Sequence, residues 1–99
     1  MLAEQVISYL ESLFLEKRES LDAVQKLIIQ YSWEGKKYEE MVECLSGYSL
    51  GYIKTNLAPE LWSKLTHVLR LSGLINSQEQ ITKKNVRIVL EAIVKRHYP

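Results

Sequence analysis

The sequence predicts an all-α fold, a small bundle of five to six helices, on three observations. Apolar residues recur at spacings of three and four along almost the whole chain. No stretch shows the apolar–polar alternation of a half-buried strand, and no internal repeat is visible. Four Gly and two Pro in 99 residues are too few for a turn-rich β-sandwich or a low-complexity linker. A chain this long makes a single helical domain, 1–99, that buries about two-thirds of its unfolded surface around one core.

Leu2, Val6, Leu10, Leu13 and Phe14 step along one face and predict a first helix over 2–17. Lys17 and Arg18 close it with the charge sign that suits a helix C-terminus. Ser20 is the expected cap of a second helix, with Leu21, Val24, Leu27, Ile28 and Tyr31 inward and Gly35 as its stop. A short third helix runs from about Tyr38 to Leu45 on the stripe Tyr38, Met41, Val42 and Leu45. Glu39 and Glu40 fall in its first turn, where acids are stabilising. Ser46 and Gly47 break it, and Ser49 caps a fourth helix that turns Ile53 and Leu57 inward.

Pro59 lacks an N–H and clashes with the carbonyl of Thr55, which predicts a kink or restart there. Beyond it, Leu61, Trp62, Leu65, Val68 and Leu69 point inward until Ser72-Gly73 ends the helix. Residues 73–81 form the main loop, pinned at its start by Leu74 and Ile75. Thr82 then caps a C-terminal helix over about 83–97, with Ile81 stapled to Val86. Its buried face is Val86, Val89, Leu90, Ile93 and Val94.

Composition excludes several classes of function. One cysteine, Cys44, rules out an internal disulfide and suits a reducing compartment; it lies beside the buried stripe, as a packing residue does. No apolar run approaches the ~18 residues of a membrane span, and Glu4 stands where a signal peptide carries positive charge. The expected setting is the cytoplasm, with no membrane partner. Neither phosphate-cradling glycine motif occurs, Asp22 is the only aspartate, and His67 and His97 fall on different helices. Those absences predict a non-enzyme with no catalytic residues, cofactor, metal or small-molecule substrate. The end at His97-Tyr98-Pro99, directly after a helical segment, is what the head of a longer protein would show.

What chemistry remains is that of a helix-turn-helix unit over about 38–57: a short helix, a Gly-containing break, and a capped second helix able to enter a major groove. Tyr48, Ser49 and Leu50 at the turn, with Lys54 and Thr55 on the outer face of the second helix, are its candidate contacts. Lys83, Lys84 and Arg87 extend the candidate set to the last helix. Charge is uneven. Residues 1–60 hold ten acids and six bases, whereas 61–99 hold two acids and seven bases. A basic C-terminal half fits double-stranded DNA. Yet Lys54 is the only cation on the second helix, no Arg there reads guanine, and Glu39, Glu40 and Glu43 lie where phosphates would pass. A protein partner, or a second copy of the chain, is therefore the alternative to DNA.

Trp33 to Asn85 resembles a known family. The residues that carry the likeness include Gln25, Ile28, Trp33, Gly35, Tyr38-Glu39-Glu40, Gly47-Tyr48-Ser49 and Gly51-Tyr52-Ile53-Lys54. Leu61-Trp62, Leu65, Thr82-Lys83-Lys84-Asn85 and Leu90 complete them. Together they resemble the N-terminal helix-turn-helix domain of bacterial vWA-MoxR-associated proteins and of NB-ARC-type STAND ATPases. The resemblance implies a tetrahelical core of the sigma-factor region 4 type, with the helix from Ser49 in the recognition position. It further implies a module that heads a larger signalling NTPase or effector and acts in nucleic-acid binding or protein recruitment. The chain departs from that pattern in three places. Val42 replaces a small residue, Ser46 lengthens the turn, and the 73–81 loop is longer than the family's link. Trp33 and Trp62 read as core anchors, with Tyr38, Tyr48 and Tyr52 packed around the turn and their hydroxyls outward.

Overall fold

The first two helices, α1 (Ala3–Glu16) and α2 (Ala23–Trp33), pack on each other as a pair. The computed structural model describes residues 1–97, so Tyr98 and Pro99, where the sequence was expected to break off after a helix, lie outside the described residues. After the pair come a single-turn helix α3 (Tyr38–Met41), α4 (Leu50–Tyr52), a π-helical turn (Ile53–Leu57), α5 (Ala58–Leu71) and α6 (Val86–His97). Every regular element among the described residues is helical, as the spacing predicts.

Helix α1 buries Val6, Leu10, Leu13 and Phe14. Leu2, expected on that stripe, precedes the helix and stays exposed, its N–H bonded 2.9 Å from Gln5 Oε1. The C-terminal end closes through Arg18 in the left-handed conformation (φ 57°), with the Glu19 N–H on the Phe14 carbonyl at 2.9 Å.

Two expectations for α2 are corrected. Its cap is Asp22, not Ser20: the Asp22 carboxylate accepts from the Gln25 N–H at 2.8 Å, and Gln25 Oε1 accepts from the Asp22 N–H at 3.0 Å. A carboxylate at a helix start satisfies a free N–H and adds favourable charge, so it outcompetes the upstream serine. The buried face is Ile28, Ile29, Ser32 and Trp33, while Val24, Leu27 and Tyr31 are only partly buried. Apolar residues nearly surround this helix, so periodicity alone does not choose a face. Packing does, because α2 touches α1, α5 and α6 together.

The expected third helix keeps regular geometry for one turn only. The chain then continues through tight turns, with the Cys44 and Leu45 N–H groups both on the Met41 carbonyl at 2.9 and 2.8 Å. Met41 and Leu45 fix this segment to the core, and the departing residue Val42 is half-buried beside them. Cys44 is exposed rather than packed, because shortening the helix turns it away from the stripe.

Pro59 falls in the first turn of α5, where the α-helix restarts after a π-helical turn, as expected. The Ala58 N–H reaches back five residues to the Ile53 carbonyl, and this wide turn joins the helical segment before the proline to α5. A π-turn relieves what a regular helix cannot, the missing N–H and the ring clash. One helical run therefore spans 50–71. Beyond the bulge, α5 buries Leu61, Trp62, Leu65, Val68 and Leu69 as expected. Ile75 pins the following loop, and Thr82 and Asn85 bond reciprocally (2.7 and 3.3 Å) ahead of α6, with Ile81 and Val86 buried beside them. Despite the long loop, α6 packs back on both α1 and α2.

Candidate functional site

The turn of the helix-turn-helix is set by Gly47, which adopts φ +91°, a conformation that costs a side-chain-bearing residue but not glycine. Ser49 then starts the next helix: its Oγ accepts from the Tyr52 N–H at 3.1 Å. From 50 to 57 only Ile53 is buried, with Leu50 and Leu57 half-buried. Gly51, Tyr52, Lys54, Thr55 and Asn56 face solvent. Tyr52 (47% exposed) stacks on Tyr48 with ring centroids 6.0 Å apart and planes 10° from parallel. The segment thus offers an aromatic pair and a short polar face.

Three of the four cations proposed from sequence, Lys54, Lys83 and Arg87, are engaged within the chain. Lys54 Nζ lies 2.9 Å from Glu39 Oε1, and this hydrogen bond is the main cause that holds the Glu39 carboxyl below the usual carboxylate range. The Thr55 hydroxyl is 2.7 Å from the Gly51 carbonyl, to which it donates, and 2.8 Å from the Asn56 amide oxygen. Lys83 Nζ sits 5.5 Å from the Tyr38 ring centre. The start of α3 thereby gathers Lys54 and Lys83 around Tyr38 and Glu39.

Arg87 is held at the end of α2. Its Nη1 donates to the Trp33 carbonyl at 2.8 Å, and its guanidinium lies 5.2 Å from the Trp33 ring centre. Glu91 also approaches it, at 3.8 Å from Nε. Lys95, 2.9 Å from Glu91, is the larger cause of the lowered Glu91 pKa. Lys84 is exposed in the turn ahead of α6.

Tyr38 does not turn its hydroxyl outward as expected. It accepts from Trp62 Nε1–H at 2.9 Å, which ties the start of α3 to α5. Burial pushes the Tyr38 hydroxyl pKa up, opposed by the Trp62 bond and the Lys54 charge. Both tryptophans are buried (4% and 8% exposed), and Trp33 Nε1–H reaches the Met1 carbonyl at 3.3 Å. Sequence reasoning missed Glu39 as a partner of Lys54. The signal was an acidic third helix facing a fourth with one lysine.

No group of three or more His, Cys, Asp and Glu able to hold a metal ion occurs among the described residues. Nor is any helix among them long and apolar enough to cross a membrane.

The family model described as the vWA-MoxR associated protein N-terminal HTH matches residues 1–93, and the chain belongs to that family. The match reaches beyond the residues that carried the resemblance in sequence, taking in α1 as well. No curated protein and no solved structure matches the chain.

Proposed function

We propose that this helix-turn-helix module is a non-catalytic adaptor that docks a protein, using the outward half-helix that begins at Ser49. The observation that carries this reading is the ion pair between Lys54 and Glu39 at 2.9 Å. Residues 38–57 hold Glu39, Glu40 and Glu43 against Lys54 alone, so the unit is net negative and its one cation already faces a carboxylate. A duplex approaching this face meets like charge, whereas DNA readers gain most of their affinity from neutralising phosphates. Arg87 is likewise committed to Trp33 and Glu91. The Tyr48–Tyr52 pair is of the residue type that protein interfaces favour at their centre.

Double-stranded DNA is the second reading, favoured by exposed Lys84 next to Lys83 in the turn ahead of α6. A second copy of the chain is one form the protein partner can take. The single exposed thiol of Cys44 fits a reducing, cytoplasmic setting. Titration of a fluorescent duplex at about 50 mM salt separates the two readings. The adaptor reading expects no saturable binding and no change in Lys54→Glu. Saturable binding that weakens steeply with salt and is lost in Lys54→Glu overturns it.

A further inference from the structure

The segment 79–81 returns to α5, and residues of the two line an open cleft of about 320 Å³. Two hydrogen bonds hold that segment in place. The Arg70 Nη2 donates to the Glu79 carbonyl at 2.8 Å, and the Ile81 N–H donates to Thr66 Oγ1 at 2.9 Å. Ser63, His67 and Arg70 line the α5 wall at helical spacing, and Gln80 lines the other wall.

The charge in this cleft is one-sided. Its lining contains no carboxylate, and Arg70 joins none of the ion pairs among the described residues. The Arg70 Nε is buried without an acceptor. The ion pairs among the described residues are formed by other cations: Lys26 with Glu11, Lys54 with Glu39, Arg87 and Lys95 with Glu91. Arg70 instead has its guanidinium held by a backbone carbonyl at the edge of a cleft whose lining carries further donors. A guanidinium fork is shaped for the two oxygens of a carboxylate, and fixing it beforehand lowers the entropy lost on binding.

We propose that this cleft is an oxyanion site that takes the carboxylate side chains of an acidic segment in a partner protein. Arg70 supplies the charge, with Ser63, His67 and Gln80 as neighbouring donors. The proposal rests on the adaptor reading only in taking the partner to be a protein. It uses a different face of the molecule, so either can fail alone.

The test is an NMR titration of the isotope-labelled whole chain with a blocked hexaglutamate peptide, with inorganic phosphate, hexalysine and a short duplex in parallel. The expected result is saturable shifts at Ser63, His67, Arg70 and Gln80 with hexaglutamate, and none with hexalysine. Phosphate should bind the same residues at least tenfold more weakly. His67→Gln and Ser63→Ala, which leave the Arg70–Glu79 anchor intact, should each weaken the peptide several-fold at unchanged Tm. Arg70→Gln should abolish the shifts, and its amide spectrum checks that the fold persists. Hexaglutamate shifts that are absent or scattered over the surface overturn the proposal. So does phosphate binding as tightly as the peptide, or duplex binding at these residues in the peptide's place. The adaptor reading is judged separately, by whether the duplex engages the Ser49–Asn56 face.

Discussion

The two halves of the helical run 50–71 differ in what they bury. Downstream of the π-turn, α5 places Leu61, Leu65, Val68 and Leu69 at 0% exposure and Trp62 at 8%. Upstream, residues 50–57 sink only Ile53 fully. One half is the spine of the core, and the other is held by a single anchor, a serine cap and an ion pair. The bulge at the junction joins the two segments ahead of Pro59 while their faces serve different ends. A recognition-position helix need not be a separate rod to stand outward. Here it is the free end of a core helix.

That contrast is sharpened first by truncating each half. Leu65→Ala removes a fully buried side chain from the spine and should cost about 2–5 kcal/mol, lowering Tm by at least ~8 °C in thermal unfolding. Ser49→Ala removes only the cap of the outward half and should cost about 1 kcal/mol, a drop of roughly 4–8 °C. A larger loss for Ser49→Ala than for Leu65→Ala would break the comparison.

Gly51→Ala should act in the opposite direction. An added Cβ there meets nothing within 4 Å, and the residue is helical without positive φ. The substitution should stabilise by about 0.4–1 kcal/mol through the unfolded chain, read as a raised denaturant midpoint at unchanged slope. A destabilised Gly51→Ala would mean this face is covered.

The smallest effect belongs to Lys54→Gln. The Glu39 carboxyl is lowered in the folded state, so its pairing with Lys54 is fully present above the ordinary carboxylate range. It fades as pH falls through the lowered value. The Tm difference between the parent chain and Lys54→Gln should therefore be within about 2 °C at pH 7 and shrink further in acid. A difference that grows in acid would contradict the pairing.

Sequence alone reached the helical class, the stripes of α1 and α5, the Ser49 cap and the Gly47 turn, because each is a local pattern; Thr82 instead bonds Asn85 in the turn ahead of α6. It failed where several local solutions compete. Ser20 and Asp22 both suit a cap, and only the reciprocal bond with Gln25 decides. Pro59 predicts a restart but not the wide turn that precedes it. The site failed for a different reason. Lys54 reads as a free cation until the fold brings Glu39, fifteen residues earlier, within 2.9 Å. Arg70 appears in sequence only as one base of many. Its place opposite Glu79 depends on how the 73–81 loop returns along α5.

Residue-resolved amide hydrogen exchange tests the division of the helix most directly. Amides of Leu61 to Leu69 should exchange only through global unfolding, while those of Tyr52 to Lys54 should open locally and exchange far faster. Equal protection across 52–69 would mean that the upstream half is as embedded as the downstream one, and no outward docking face would exist.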